Sequence, residues 1–404
     1  MKKFLCCLLA LMFVITGCKA SEPAESNKIP KRKHEFITLL SPNDNIGIVR
    51  EPPAADYSYM NPRKLTELPS PNENMEIDLR SSDLTVLNLT NNLNDLLFST
   101  FDSKTKWPVK LPAEFDPETV MKLGKNPGLN VKKLHENGFT GKGIGLAIID
   151  QALLVNHIEY RDQLKMYEEI HCFDKHAVMH GPAVASIAVG KTVGVAPEAD
   201  LYHIATNFGK YNKFNQFEHQ YTSLAQSIDR IIEVNKLLAK DKKIRVISIS
   251  LGVNSEMNGY EQVMKSIANA EQEGIYTVYV GSLNFFGLGR EPLLSADKIT
   301  SFTKGEPWKH DKIQNNTLWI PMDSRCTASP TGDNDYVFYR IGGLSWSVPY
   351  VAGLYALACQ VKPDITPGLF WHEALKTSDP LLNKEEVVIG KIINPVKLIE
   401  NISK

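Results

Sequence analysis

The chain has 404 residues, of which 43% are hydrophobic and 23% charged, with a formal net charge of −1. That length suits one large domain or two ordinary ones, and the composition is that of a globular protein. It carries no basic stripe of the kind nucleic acid selects, and past the N-terminus no run approaches the ~18 apolar residues of a membrane-spanning helix.

At the N-terminus, Lys2 and Lys3 precede an apolar run from Phe4 to Ile15, followed by Thr16, Gly17 and Cys18. A basic start, a short apolar core and small residues predict a secretory signal over residues 1–17. Ile15-Thr16-Gly17-Cys18 resembles the bacterial lipobox. That resemblance implies cleavage before Cys18 and a diacylglyceryl group on its sulfur, so the chain would face outward from a bacterial membrane. The alternative is an ordinary signal peptide with a chance cysteine. Cys6 and Cys7 belong to the signal, which leaves Cys172, Cys326 and Cys359, an odd set without a disulfide framework.

Residues 18–74 are polar and broken by prolines from Pro23 to Pro71, which predicts a tether. In residues 75–115, Ile77, Leu79, Leu84, Leu87 and Leu89 hint at one leucine-rich strand. A single copy cannot stack into a solenoid, so this stretch reads as a small accessory segment. Asp116 followed by Pro117 suits an N-cap and first helical position, and opens a helical pattern to Asn137 in two parts broken around Pro127-Gly128.

A glycine-rich turn from Gly138 to Gly143 leads into the apolar run Ile144–Asp150, expected to be a buried parallel strand ending in an acid. Strands are predicted at Asp200–Ala205, Ile244–Leu251, Ile275–Val280, Leu318–Met322 and Tyr336–Tyr339. Helices are predicted at Ser223–Ala239, Tyr260–Gly274, Pro367–Ser378 and Pro395–Ile402. This alternation predicts an α/β fold, a doubly wound parallel sheet with helices on both faces, plus an N-terminal extension. Near the end, Gly342-Gly343 allows a sharp turn into an apolar helix expected over Ser347–Gln360, with Pro349 near its first turn. Ser345 then sits at a helix N-terminus. It is either an ordinary cap or a hydroxyl beside the N–H groups and dipole end that would stabilise an oxyanion.

The stretch Gly343-Leu344-Ser345-Trp346-Ser347-Val348-Pro349-Tyr350-Val351-Ala352-Gly353 resembles the nucleophile block of the subtilisin-like serine proteases, with Leu344 and Ser347 where that family usually has Thr and Ala. Asp150-Gln151-Ala152 stands where the family usually reads Asp-Thr-Gly. His180-Gly181-Pro182-Ala183-Val184-Ala185 resembles its histidine block, and Gly194-Val195-Ala196-Pro197-Glu198-Ala199 the segment that follows. The order acid, histidine, serine is the family's own, whereas an α/β-hydrolase would carry its serine first. The resemblance runs from about Gly138 to Ile402 and assigns residues 116–404 to a peptidase domain; residues 75–115 are alternatively a cleavable pro-segment.

By resemblance, Ser345 is the nucleophile, His180 the general base and then acid, and Asp150 the group that orients the imidazole. Asn284, in Gly281-Ser282-Leu283-Asn284, falls at the position of the oxyanion donor, with Gly287 and Gly289 in a mobile loop nearby. Ser250, Leu251 and Gly252 resemble the wall of the cleft, where an extended peptide adds as a strand. The expected activity is endopeptidase cleavage, with a protein or peptide as substrate, no nucleic acid partner and no organic cofactor. Cys172, His176 and His180 lie four residues apart and would share a helix face as metal ligands do, but no paired motif accompanies them, so no metal is expected. His171 and His176 are expected in exposed loops. The changes at Gln151, Leu344 and Leu283 keep open a second reading, a weakly active or inactive subtilase-like scaffold that holds a peptide.

Overall fold

The computed structural model describes residues 35–42, 45–57, 64–72, 76–212, 216–282, 285–309, 317–383 and 385–404. The signal, Cys18, Leu283 and Asn284 lie outside the described residues. Residues 36–404 form one compact unit.

At its centre is a six-stranded sheet. The order across it is Ile37–Leu39, Leu164–Cys172, Asp200–Ala205, Gly145–Asp150, Ile244–Gly252 and Tyr276–Val280. All neighbours run parallel except the first strand, which lies antiparallel at the edge. Every residue of Gly145–Asp150 is buried. Its alternate side chains feed two cores, as strand geometry requires. Leu146 and Ile148 face the helices His180–Val189 and Leu344–Val361, while Ala147 and Ile149 face Thr222–Leu237 and Tyr260–Gln272. This is the doubly wound arrangement expected, and its strands' C-terminal ends carry Asp150 and Gly252.

Among the strands that depart from expectation, two carry residues singled out above. Leu164–Cys172 was not anticipated, because Glu168, Glu169 and His171 interrupt its apolar pattern. Both glutamates are fully buried, and each is paired from a distant segment: Glu168 with Arg230 at 2.9 Å, Glu169 with Arg50. A buried charge is tolerated when such partners exist. Phe285–Arg290 is also a strand, pairing with Leu318–Pro321, so Gly287 and Gly289 do not belong to a mobile loop. A Cβ on Gly287 would lie 2.1 Å from Met322 Sδ and one on Gly289 2.9 Å from Lys304 O, so close packing calls for glycine.

From Phe36 onward the expected tether runs against this unit. Ile37–Leu39 extends the central sheet, and Ala177 N–H donates to Pro53 O at 2.9 Å. The accessory segment contributes Ser99–Asp102, which pairs antiparallel with Tyr336–Tyr339 in a second sheet completed by Arg325–Ala328 and Ile77–Asp78. Leu79, Leu84, Leu89, Leu96, Phe101 and Phe115 close a separate core with Val120 and Phe338. The leucine pattern was thus a true sign of burial, in a core drawn mostly from residues 65–120 that takes Phe338 from a distant strand.

Candidate active site

Asp150 ends its strand with 2% of its side chain exposed. Its Oδ1 accepts from Gln151 N–H at 2.8 Å and from His180 Nδ1 at 2.7 Å. His180 is the first residue of the His180–Val189 helix. That helix approaches the Asp150 turn so closely that a Cβ on Gly181 would lie 2.5 Å from Gln151 O. Glycine at this position is what lets the imidazole reach the carboxylate. The imidazole keeps 22% of its side-chain surface exposed, so one face is open to a reactant.

Burial opposes the imidazolium of His180, but the charge and hydrogen bond of Asp150 outweigh it and raise its pKa above 6.5. The neutral base therefore appears only as pH rises through that raised value. The pair's contribution to stability is fullest below the ordinary histidine pKa and is lost as pH rises through the folded one. Catalytic efficiency is expected to climb with pH with a midpoint above 6.5. Asp150→Asn should lower turnover about 10⁴-fold, the size found when the acid of a Ser-His-Asp triad is so replaced. It should also move the midpoint down, since burial then acts alone. A pH–rate profile of both chains checks this.

A second histidine, not anticipated, supports the acid turn. His203 Nε2 lies 2.9 Å from Gln151 O, and burial pushes its pKa down to about 4, so it stays neutral. Its Nε2–H therefore donates to the carbonyl that follows Asp150. Across the same edge, Thr206 N–H donates to Asp150 O at 2.7 Å. His203 was hidden because a lone histidine in an apolar strand carries no spacing signal.

Ser345 lies in the first turn of the Leu344–Val361 helix, which starts three residues earlier than expected. Pro349 is therefore inside the helix and not in its first turn. Its missing N–H leaves the carbonyl four residues back, that of Ser345, without an intrahelical donor. Ser250 Oγ fills the gap, donating to Ser345 O at 2.9 Å, and Ser345 Oγ donates to Ser250 O at 3.4 Å. Ser250 thus holds the serine's backbone as well as lying on the expected cleft wall. Tyr221, also unanticipated, donates its hydroxyl to Gly252 O at 2.6 Å and steadies that wall. Trp346, next to Ser345, stands with its ring centroid 5.4 Å from His180 and 5.3 Å from Tyr339.

These contacts bring Asp150 and His180 together, and bring Ser345 together with Ser250, on one side of the sheet's C-terminal edge. Cys172 ends a strand and His176 is exposed in the loop beyond it, so the four-residue spacing does not place them with His180 on one helix. His171 is not in a loop: it lies on the Leu164–Cys172 strand, stacks on Phe36 at 3.7 Å, and its Nε2 is 2.8 Å from Gly209 O.

Residues 141–283 match the model of the subtilase family, peptidase S8. Over this stretch, about a third of its length, the chain is similar to the subtilase family. The matched stretch contains Asp150 and His180 and ends before Ser345. Relatives include a probable subtilase-type serine protease of Deinococcus radiodurans, 26% identical over 59% of this chain and 37% of that protein. Another is the subtilisin-like protease 2 of Trichophyton rubrum, 24% identical over 61% of this chain and 56% of that protein. The matches thus span between a third and rather more than half of the relatives' lengths. A solved structure, the prenylagaramide maturation protease PagA, aligns at 17% identity with a TM-score of 0.44, covering 68% of this chain and 98% of that one.

Proposed function

We propose that this chain is a subtilisin-like serine endopeptidase working through Asp150, His180 and Ser345. The observation that carries the reading is the 2.7 Å contact between His180 Nδ1 and the buried Asp150 carboxylate, with Ser345 in the first turn of a neighbouring helix. Asp150 accepts Nδ1–H and so leaves Nε2 as the basic nitrogen. The Ser345 hydroxyl turns from Ser250 O to that nitrogen, gives up its proton and attacks the scissile carbonyl. His180 returns the proton to the leaving amine, and water resolves the acyl-enzyme by the same steps. Helix N–H groups beside Ser345, with Asn284, serve the oxyanion. The Ser250–Gly252 edge takes the peptide as an added strand.

The test is treatment with a fluorophosphonate probe, and mass analysis of fragments from an unfolded protein substrate. Labelling with internal cleavage supports the endopeptidase. A folded chain that binds peptide but neither labels nor cuts supports the scaffold reading, which the Ser345–Ser250 hydrogen bond favours because it engages the hydroxyl away from the base.

The lipobox-like Ile15-Thr16-Gly17-Cys18 supports an extracytoplasmic, lipid-anchored location. In bacteria fed an alkyne fatty acid, the wild-type chain is expected to take up label and fractionate with membranes, and Cys18→Ala to lose both. Equal labelling of the two would remove the anchor. Among the described residues no helix is long and apolar enough to cross a membrane.

A further inference from the structure

The backbone leading to Ser345 is gripped from two sides by carboxylates that the triad does not use. Gly342 N–H donates to Asp323 Oδ1 at 3.0 Å, and its neighbour Ile341 N–H donates to Glu76 Oε1 at 3.3 Å. One residue earlier, Arg340 N–H donates to Thr100 Oγ1 at 3.1 Å, and that hydroxyl in turn bonds Glu76. Three successive amides are thus anchored by side chains, two of them from the accessory segment. Beyond them Gly343 has φ of +67°, a turn that favours glycine. The turn has little room to relax, because a Cβ on Gly342 would lie 2.2 Å from Trp346 Cδ1 and 2.3 Å from Met322 O.

We propose that Glu76 and Asp323 are positioning residues that clamp the Ile341–Gly342 backbone and thereby fix where Ser345 stands. The consequence for catalysis rests on the protease reading; the clamp itself does not. Charge-assisted acceptors hold an N–H about twice as strongly as neutral ones. A shift of about 1 Å at a nucleophile costs on the order of 10² in rate.

The clamp also brings a pH dependence of its own. Asp323 is 2% exposed. Burial raises its pKa to about 7; the Gly342 N–H, the Arg340 guanidinium and the Glu306 backbone oppose this, and the Glu306 carboxylate adds to it. Burial likewise raises Glu76, against the Thr100 hydroxyl, the Ile341 N–H and Arg80, with Asp78 pushing the same way as burial. As pH falls through about 7, Asp323 takes a proton and its hold on Gly342 weakens. The acid limb of activity then contains two ionisations, those of His180 and Asp323.

The experiment compares the parent with Asp323→Ala, Asp323→Asn and Glu76→Ala in the full chain. It reads the rate of fluorophosphonate labelling, kcat and KM for a peptide over pH 5–9 (roughly the span that brackets both groups), and hydrogen exchange at the Ile341 and Gly342 amides. Asp323→Ala is expected to lose about 10- to 100-fold in kcat with KM within about twofold. Asp323→Asn, whose amide oxygen still accepts, should recover most of that loss and reduce the acid limb to a single ionisation. Exchange at Gly342 should quicken at least about tenfold in Asp323→Ala, and at Ile341 in Glu76→Ala. Parental labelling by Asp323→Ala, or an unchanged acid limb in Asp323→Asn, would overturn the proposal. A parent that never labels removes the protease reading, and exchange then decides the clamp alone: unchanged protection in the alanine chains overturns it, faster exchange supports it. Should Asp323→Ala not fold, the acid limb of Asp323→Asn decides: a single ionisation supports the clamp, and two overturn it.

Discussion

Ser345→Ala and His180→Ala are each expected to abolish fluorophosphonate labelling and to slow peptide hydrolysis about 10⁶-fold, the loss recorded for the corresponding groups of subtilisin itself. The two changes should not add, because the hydroxyl is inert until the imidazole takes its proton and the imidazole has no other nucleophile to serve. The double variant should therefore match either single one. Each chain should fold as the parent does: Ser345→Ala keeps the backbone carbonyl that accepts from Ser250 and loses only the long 3.4 Å hydroxyl contact, and His180 keeps part of its surface open to solvent. Stopped-time labelling followed by progress curves on a fluorogenic peptide checks the prediction. Full labelling of Ser345→Ala would mean that another nucleophile reacts, and would remove Ser345 from the mechanism.

A chain beginning at Asp116 is expected to lose cooperative folding altogether. It lacks Ser99–Asp102, whose hydrogen bonds close one edge of Tyr336–Tyr339. It also bares Phe338 and Val120, both at most 1% exposed in the intact protein. Fully burying such side chains is worth about 1.5–3 kcal/mol each. Together with a newly unpaired strand edge, which invites association, this is a large share of a net stability of about 5–15 kcal/mol. Thermal melting and light scattering of the truncated and intact chains read the outcome. A soluble truncated chain melting near the parent would show that residues 36–115 are dispensable for folding and would favour the pro-segment reading of residues 75–115.

How much was legible beforehand follows from how local each signal is. Gly145–Asp150 reads as a buried strand because both of its faces are covered, so its apolar run is unbroken. The helices Thr222–Leu237 and Tyr260–Gln272 have one wet face and one dry face, and their periodicity shows it. Asp150, His180 and Ser345 were nominated by motif and order, which survive in a linear string. Leu164–Cys172 was not legible, since its buried glutamates look like a polar loop until Arg50 and Arg230 arrive from elsewhere. The glycines at 287 and 289 suggested flexibility, and only the packed Met322 and Lys304 show that they answer crowding.

The α/β class, the order of the three motif blocks and the strand that ends in Asp150 were therefore already set along the linear chain, because they depend on periodicity and on residue type within a few positions. Their surroundings came only with the packed fold. It paired the Ser345 carbonyl with Ser250, set His203 under the turn after Asp150, and drew Glu76 and Asp323 onto consecutive amides before the serine. These contacts join residues from 19 to 265 positions apart, and a hydrogen bond of about 3 Å is specified by how whole elements pack, not by any pattern along the chain.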